Sequence, residues 1–251
     1  MYTRVKTDQE IADMRISGQM LATVLRALQG YLEPGQSTKD LTDFAARELK
    51  ALGGQPAFLG YQGFPEVLCV SVNDEVVHGI PRKDLIIQSG DLVSLDFGVS
   101  YNQMITDAAI TVIAGSPKKP EHTALVRTTE ESLRAGIKKV KDGVKTGDIG
   151  AAVQAVLDAK GYGIVRDLVG HGVGHFVHED PNVPNYGRKG TGDRLQTGMT
   201  IAIEPMATLG GYGVMIDPDG WTIRTRDGSL AAHFEHTVLI TEAGSEVLTK
   251  L

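Results

Sequence analysis

The strongest constraint on the fold is that the chain runs through one order of elements twice. In the first half, Thr7-Asp8-Gln9-Glu10 has the form of a capping box, and Ile11, Met14, Gly18, Leu21, Ala22 and Leu25 follow at helical spacing. A second helix is predicted to start near Ser37, with Asp40 three residues on. It carries Leu41, Phe44, Ala45 and Leu52 and stops at Gly53-Gly54. Strand patterns follow over 67–72, 75–78, 91–99 and 105–113. The second half repeats the order: helices over 120–141 and 149–160, then strands over 163–165, 176–178, 199–203 and 233–240.

Three local matches in the same order support a duplication. Gly35-Gln36-Ser37-Thr38-Lys39-Asp40-Leu41 resembles Gly143-Val144-Lys145-Thr146-Gly147-Asp148-Ile149. Val77-His78-Gly79-Ile80-Pro81 resembles Val177-His178-Glu179-Asp180-Pro181. Gly90-Asp91-Leu92-Val93-Ser94-Leu95-Asp96 resembles Gly198-Met199-Thr200-Ile201-Ala202-Ile203-Glu204. Asp96 and Glu204 therefore fall at equivalent positions, as do His78 and His178. Packing of the halves about a pseudo-two-fold axis would bring all four to one central site. The loop over 181–197 is longer than its first-half counterpart, so the copies have diverged.

At 251 residues and 41% hydrophobic content, the chain has enough apolar material for one sizeable core. The expectation is a single α+β domain over 1–251, with halves of roughly 1–115 and 116–251. A net charge of -6 argues against a polyanion-binding surface, so nucleic acid is not expected as a partner. The lone cysteine, Cys69, allows no disulfide within the chain and fits a reducing compartment. The opening MYTRVKTDQEIADM has no apolar h-region, and no apolar run reaches the length of a membrane span. A cytoplasmic protein is expected.

Five polar residues lie in unusual contexts. Asp96, Asp107, Glu204 and Glu235 sit in otherwise apolar strand patterns, and His171 in the glycine-rich Gly170-His171-Gly172-Val173-Gly174-His175. Singly, a strand Asp is about as often a turn or edge residue, and a glycine-flanked His is more often a loop residue than a ligand. Together, four carboxylates without a comparable supply of basic partners would be expensive to bury. Divalent cations would neutralise them, and hard oxygen donors with one imidazole suit Mn, Fe, Co or Zn. Other constellations are weak. His171 and His175 have the spacing of a helical zinc pair, but glycines surround them. Cys69, in an apolar strand, reads as packing rather than as a nucleophile.

These residues resemble a known family. Asn73-Asp74-Glu75-Val76-Val77-His78-Gly79-Ile80-Pro81, Ser94-Leu95-Asp96-Phe97-Gly98, Thr106-Asp107-Ala108-Ala109, Gly170-His171-Gly172-Val173-Gly174, His178-Glu179-Asp180-Pro181, Ile203-Glu204-Pro205 and Phe234-Glu235-His236-Thr237 are similar to the motifs of bacterial-type type I methionine aminopeptidases, peptidase family M24. The resemblance covers nearly the whole chain. It implies a pita-bread fold with an internal pseudo-two-fold axis, and removal of the initiator methionine from nascent proteins with a small second residue. It also implies a monomer working near the ribosome.

By the same resemblance, two divalent ions would be held about 3.5–4 Å apart. Asp96 would hold one, His171 and Glu204 the other, and Asp107 and Glu235 would bridge them. Glu204 would double as general base. His178 would contact the substrate carbonyl and His78 the scissile amide. Phe64, Cys69 and Trp221 would line the side-chain pocket. The chain departs from the family at Phe64, where tyrosine is common, and at Phe58, where a small sulfur residue is common. Val177 replaces an aromatic, and Met104-Ile105-Thr106 replaces small or polar residues. These departures bear on the shape of the pocket.

Two other readings compete. Proline-specific peptidases share the fold but usually carry a further N-terminal domain. Non-catalytic binding relatives lose metal ligands, whereas all five are present here.

Overall fold

The computed structural model describes residues 5–250. Residues 1–4, read above as part of a segment without an apolar run, lie outside the described residues.

Helix α1 (Asp8–Tyr31) begins at the capping box: the Thr7 hydroxyl accepts from Glu10 N–H and the Glu10 carboxylate accepts from Thr7 N–H. Helix α2 (Thr38–Leu52) is capped the same way by Ser37 and Asp40. It ends on Gly53 in the left-handed conformation, which a residue without Cβ adopts at little cost. Strands β1 (Gln55–Pro56), β2 (Cys69–Val72), β3 (Glu75–Val77), β4 (Leu92–Tyr101) and β5 (Met104–Ile113) follow. The second half opens with α3 (Pro120–Ile137) and α4 (Thr146–Asp158). Its strands are β6 (Gly163–Ile164), β7 (Gly170–Gly172), β8 (Glu179–Val183), β9 (Thr200–Ile203), β10 (Met206–Thr208), β11 (Val214–Ile216), β12 (Ile223–Thr225), β13 (Ala231–His233), β14 (His236–Thr241) and β15 (Gly244–Val247).

All strand pairings among the described residues are antiparallel. Strand β4 pairs with β1, β2 and β5, and the largest second-half sheet has the order β15-β14-β9-β7-β8. Each half has its own core. Leu21, Leu28, Leu41 and Leu49 of α1 and α2 pack on Leu95 and Phe97 of β4. Leu133, Ile149 and Val153 of α3 and α4 pack on Ile201 and Ile203 of β9. Each such side chain contributes roughly 1.5–3 kcal/mol of burial. Ile110 touches both cores and so joins them. No helix of the described residues is long and apolar enough to cross a membrane.

The halves repeat each other bond for bond. Gly35 N–H donates to Ile87 O as Gly143 N–H does to Leu195 O. Thr38 to Leu85 is matched by Thr146 to Asp193, and Gly90 to Ala114 by Gly198 to Ile240. Strand registers agree as well: Pro56 opposite Val99 with Ile164 opposite Ala207, and Val72 opposite Val93 with Gly172 opposite Ile201. Between the halves, Ala109 and Glu235 exchange two backbone hydrogen bonds, of 3.3 and 2.9 Å. Such a reciprocal pair marks the pseudo-two-fold axis.

The copies differ in what is inserted. The first is longer between β1 and β2, over residues 57–68. The second is longer between β8 and β9, and between β10 and β13, where β11 and β12 lie. This corrects two strand expectations. Residues 176–178 form no strand: the corresponding β3 pairs with β12, which lies in the second repeat's insert, and the first repeat has no matching insert between β4 and β5 to pair with them. The strand expected over 233–240 is broken into β13 and β14. Its neighbour is broken too, at Glu204-Pro205, where proline has no N–H for the ladder.

Candidate metal centre

Asp96 and Asp107 project from the middles of β4 and β5, whose ladder pairs Asp96 with Ala109 and Gly98 with Asp107. His171 lies on β7, which the glycine-rich sequence did not mark as a strand. Glu204 follows β9 directly and Glu235 precedes β14 directly. Asp96, Asp107, His171 and Glu235 are buried, and the Glu204 side chain is only 13% exposed.

No Lys or Arg of the described residues pairs with these carboxylates. Their nearest side-chain neighbours are imidazoles that burial keeps neutral: His171 Nε2 is 3.4 Å from Glu204 Oε1, and His233 Nε2 is 3.7 Å from Glu204 Oε2 and 3.9 Å from Glu235 Oε2. Burial lifts Asp96 to about 7. It also pushes Asp107, Glu204 and Glu235 well above the carboxylate range, and each is pushed further by neighbouring carboxylates.

Asp96 Oδ1, Asp107 Oδ1 and Glu235 Oε1 are buried without a hydrogen-bond partner. An orphaned buried carboxylate oxygen is costly, and a cation removes the cost. Asp107, His171 and Glu235 each bring a donor atom within 4.8 Å of the others, a spacing that can hold a metal ion. His171 is prepared for that role. Its Nδ1 lies 3.0 Å from Gly172 O, and a carbonyl only accepts, so Nδ1 carries the hydrogen and Nε2 presents a lone pair. Asn185 donates to Glu204 O at 2.9 Å and pins that backbone.

The centre floors a cavity of about 130 Å³. Its walls are apolar. Phe64 and Trp221 meet edge to face at 5.2 Å, and Phe58, Phe64, Cys69 and Val177 form one buried cluster. The Phe58 ring lies over Gly98, where a Cβ would stand 2.5 Å from the ring. His78 and His178 face the cavity from opposite repeats. Burial lowers His78 to about 4 and holds His178 below the usual histidine value. Burial raises the Cys69 thiol, so it is packing rather than a nucleophile.

Residues 12–242 match the metallopeptidase family M24. The methionine aminopeptidase of Mycoplasma capricolum is 43% identical over 98% of each chain. This chain belongs to the bacterial methionine aminopeptidases of family M24. The methionine aminopeptidase structure from Thermotoga maritima superposes with a TM-score of 0.97 at 46% identity, covering 99% of each chain. The prolidase of Pyrococcus furiosus shares the pita-bread fold at a TM-score of 0.79 and 24% identity, covering 98% of this chain and 65% of that one.

In this M24 chain, the ten residues singled out in the sequence all line the one cavity: Asp96, Asp107, His171, Glu204, Glu235, His78, His178, Phe64, Cys69 and Trp221. Met104 does not. It packs with Met14, Leu239 and Leu248 on another side of the sheet, so it has no direct bearing on the pocket. His175 is no metal partner of His171; it pairs with Glu10 at 2.7 Å.

Three residues near the site escaped the sequence reading. Tyr61 and Gln62 lie in an inserted segment with no repeat to point to them. His233 is the counterpart of Asp107. Gly98 opposite Asp107 is matched by Met206 opposite His233. The Thr237 hydroxyl clasps both backbone groups of Asp107, at 2.8 Å each, and Thr111 does the same to His233. A Thr four residues after each was the signal available in the sequence.

Proposed function

We propose that this protein is a metal-dependent aminopeptidase that hydrolyses the first peptide bond of newly made proteins and releases their initiator methionine, preferring a small second residue. The observation that carries the reading is the buried carboxylate floor, with its orphaned oxygens and prepared His171, set beneath an aromatic cavity of side-chain size. Relatives more than 40% identical over nearly the whole chain are methionine aminopeptidases, which supports it.

Asp96, Asp107, His171, Glu204 and Glu235 would hold two divalent cations, with Fe, Mn, Co and Zn all suited to the donor set. Cations held there supply a water of lowered pKa and polarise the scissile carbonyl. Glu204 takes the proton of the attacking water and passes it to the leaving amine. His178 hydrogen-bonds the carbonyl oxygen as negative charge develops, and His78 orients the amide. Phe64, Trp221 and Cys69 hold the methyl-thioether, whose sulfur gains from aromatic contact. We take the chain as one catalytic domain whose halves are roughly 1–115 and 116–251. It would act as a cytoplasmic monomer on nascent N-termini near the ribosome.

Metal analysis of anaerobically purified protein, with Met-Ala-Ser and Ala-Pro-x peptides assayed side by side, tests the reading. Release of methionine from the first, with metal bound, is expected. Turnover of the Ala-Pro peptide alone would make the chain a proline peptidase of the same fold. A metal-replete protein inert on both would make it a binding relative.

A further inference from the structure

We infer that Tyr61, itself oriented by Gln62, is a positioning residue that fixes the tautomer of His178 and so presents its Nε2–H to the substrate carbonyl. The inference rests on the reading of His178 given above.

Tyr61 Oη lies 2.9 Å from His178 Nδ1, and Gln62 Nε2 donates to the same Oη at 3.1 Å. An amide nitrogen only donates, so Oη accepts from Gln62, and the single phenolic proton points at the remaining partner, His178 Nδ1. Nδ1 is then an acceptor, and the proton of the neutral ring sits on Nε2. The neighbouring ring is set the opposite way. His171 gives its Nδ1–H to Gly172 O and keeps a lone pair on Nε2. The two rings are 4.3 Å apart, and each needs the tautomer it has: one must donate electrons to a cation, the other a proton to an oxyanion.

The backbone supports the arrangement. Gln62 is held at φ 48°, ψ 22°, a left-handed conformation that side chains other than glycine rarely adopt. Strain of this kind persists only where its surroundings fix it, and it clusters at functional sites. The segment between β1 and β2 that bears both residues has no counterpart in the second repeat, so it is not part of the common scaffold. Tyr61 also stacks obliquely on His178, with ring centroids 5.5 Å apart. Tyr61→Phe keeps that contact and removes only the hydroxyl.

The test uses the full chain labelled with 15N-histidine, in metal-free form, with the His178 signals assigned by their loss in His178→Gln. Wild type should show an unprotonated Nδ1 and a protonated Nε2, and Tyr61→Phe should shift the ring toward Nδ1–H. In the metal-loaded enzyme, Tyr61→Phe should lower kcat about three- to tenfold with KM little changed, the loss expected for one neutral hydrogen bond. Gln62→Ala should move both readouts the same way by less. A protonated Nδ1 in wild type, or a ring unaltered by Tyr61→Phe, would overturn the inference. So would a shifted tautomer with unchanged kcat. Near-normal turnover by His178→Ala would instead remove His178 from the carbonyl, and the tautomer measurement would still stand by itself.

Discussion

In the first repeat, β4 and β5 run ten residues each without a break, and the short side chains Asp96 and Asp107 project from their middles. In the second repeat the corresponding ladder is broken at Glu204-Pro205 and at Phe234-Glu235, and the acids there are the longer glutamates. An unbroken ladder fixes a carboxylate closely, so one methylene suffices. Glu204, the counterpart of Asp96, stands at the break beside β9 and carries one methylene more. The inserted segments differ more sharply. Phe58, Tyr61 and Phe64 come from residues present only in the first repeat, and Trp221 from residues present only in the second. The shared scaffold thus supplies the acidic floor, with Cys69 and Val177 beside it, and the unshared excursions supply the aromatic part of the wall.

The comparison can be broken most decisively at its equivalent acids. Glu204→Gln should lose about 10²–10⁴ in turnover while keeping a substantial part of its metal, because the amide oxygen still coordinates but accepts no proton. Asp96→Asn, its repeat partner, should fail mainly by losing metal. If metal content and turnover fall alike in both, the two positions have no separate roles. The next pair is Asp107 and His233. Asp107→Asn, like Glu235→Gln, should strip the protein of metal on dialysis against a weak chelator. His233→Ala should cost only about 10–100-fold in metal affinity, as expected for a group behind the donors. Equal losses would make His233 a donor in its own right.

Across the cavity, His178→Ala should lower kcat by about 10²–10³, more than His78→Ala, because charge develops at the carbonyl. The reverse order in metal-replete protein would exchange the two histidines' roles. The excursions predict a smaller effect. Phe64→Leu or Trp221→Leu should cut the preference for methionine over alanine by roughly two- to tenfold, since sulfur–aromatic contacts are worth about 0.3–1.5 kcal/mol. Unchanged preference in a peptide series varying the first residue would move the walls' function elsewhere. The smallest contrast is at the helix starts. Ser37 caps α2 with its hydroxyl, whereas Lys145, at the same place before α4, has no oxygen to offer. Ser37→Ala should cost about 0.5–2 kcal/mol in denaturant unfolding. Lys145→Ala should cost close to nothing, and a comparable loss there would mean that the two helix starts are held alike.

Much of this was legible in the sequence because duplication doubles every local signal. The capping boxes at Thr7 and Ser37 located α1 and α2, and the paired matches around Asp96 and Glu204 brought two acids together before any packing was known. What was not legible depends on partners distant in the chain. Whether residues 176–178 form a strand is decided between β4 and β5, about seventy residues earlier, where only the turn Asn102-Gln103 stands in place of a counterpart to β12, and nothing local reports that. Short strands such as β1 and β11 are held by what they pair with and carry no period of their own. Tyr61 carried no signal of its own, because its meaning is a hydrogen bond to His178, far along the chain. Met104 stood out as a departure from the family's small or polar residues before Asp107, but three positions along a strand put it on the opposite face from that acid, among Met14, Leu239 and Leu248.

The reciprocal hydrogen bonds between Ala109 and Glu235 also bear on how the protein comes into being. Glu235 is the last of the five acids and imidazoles to leave the ribosome, and it must pair with a strand made long before. Contacts of such separation form slowly, since a long loop must close before any of them rewards it. Until then Asp96 and Asp107 cannot be sealed under the second repeat, and in water their charges cost little. The site needs both repeats, so a chain that has not yet reached Glu235 cannot hold it complete.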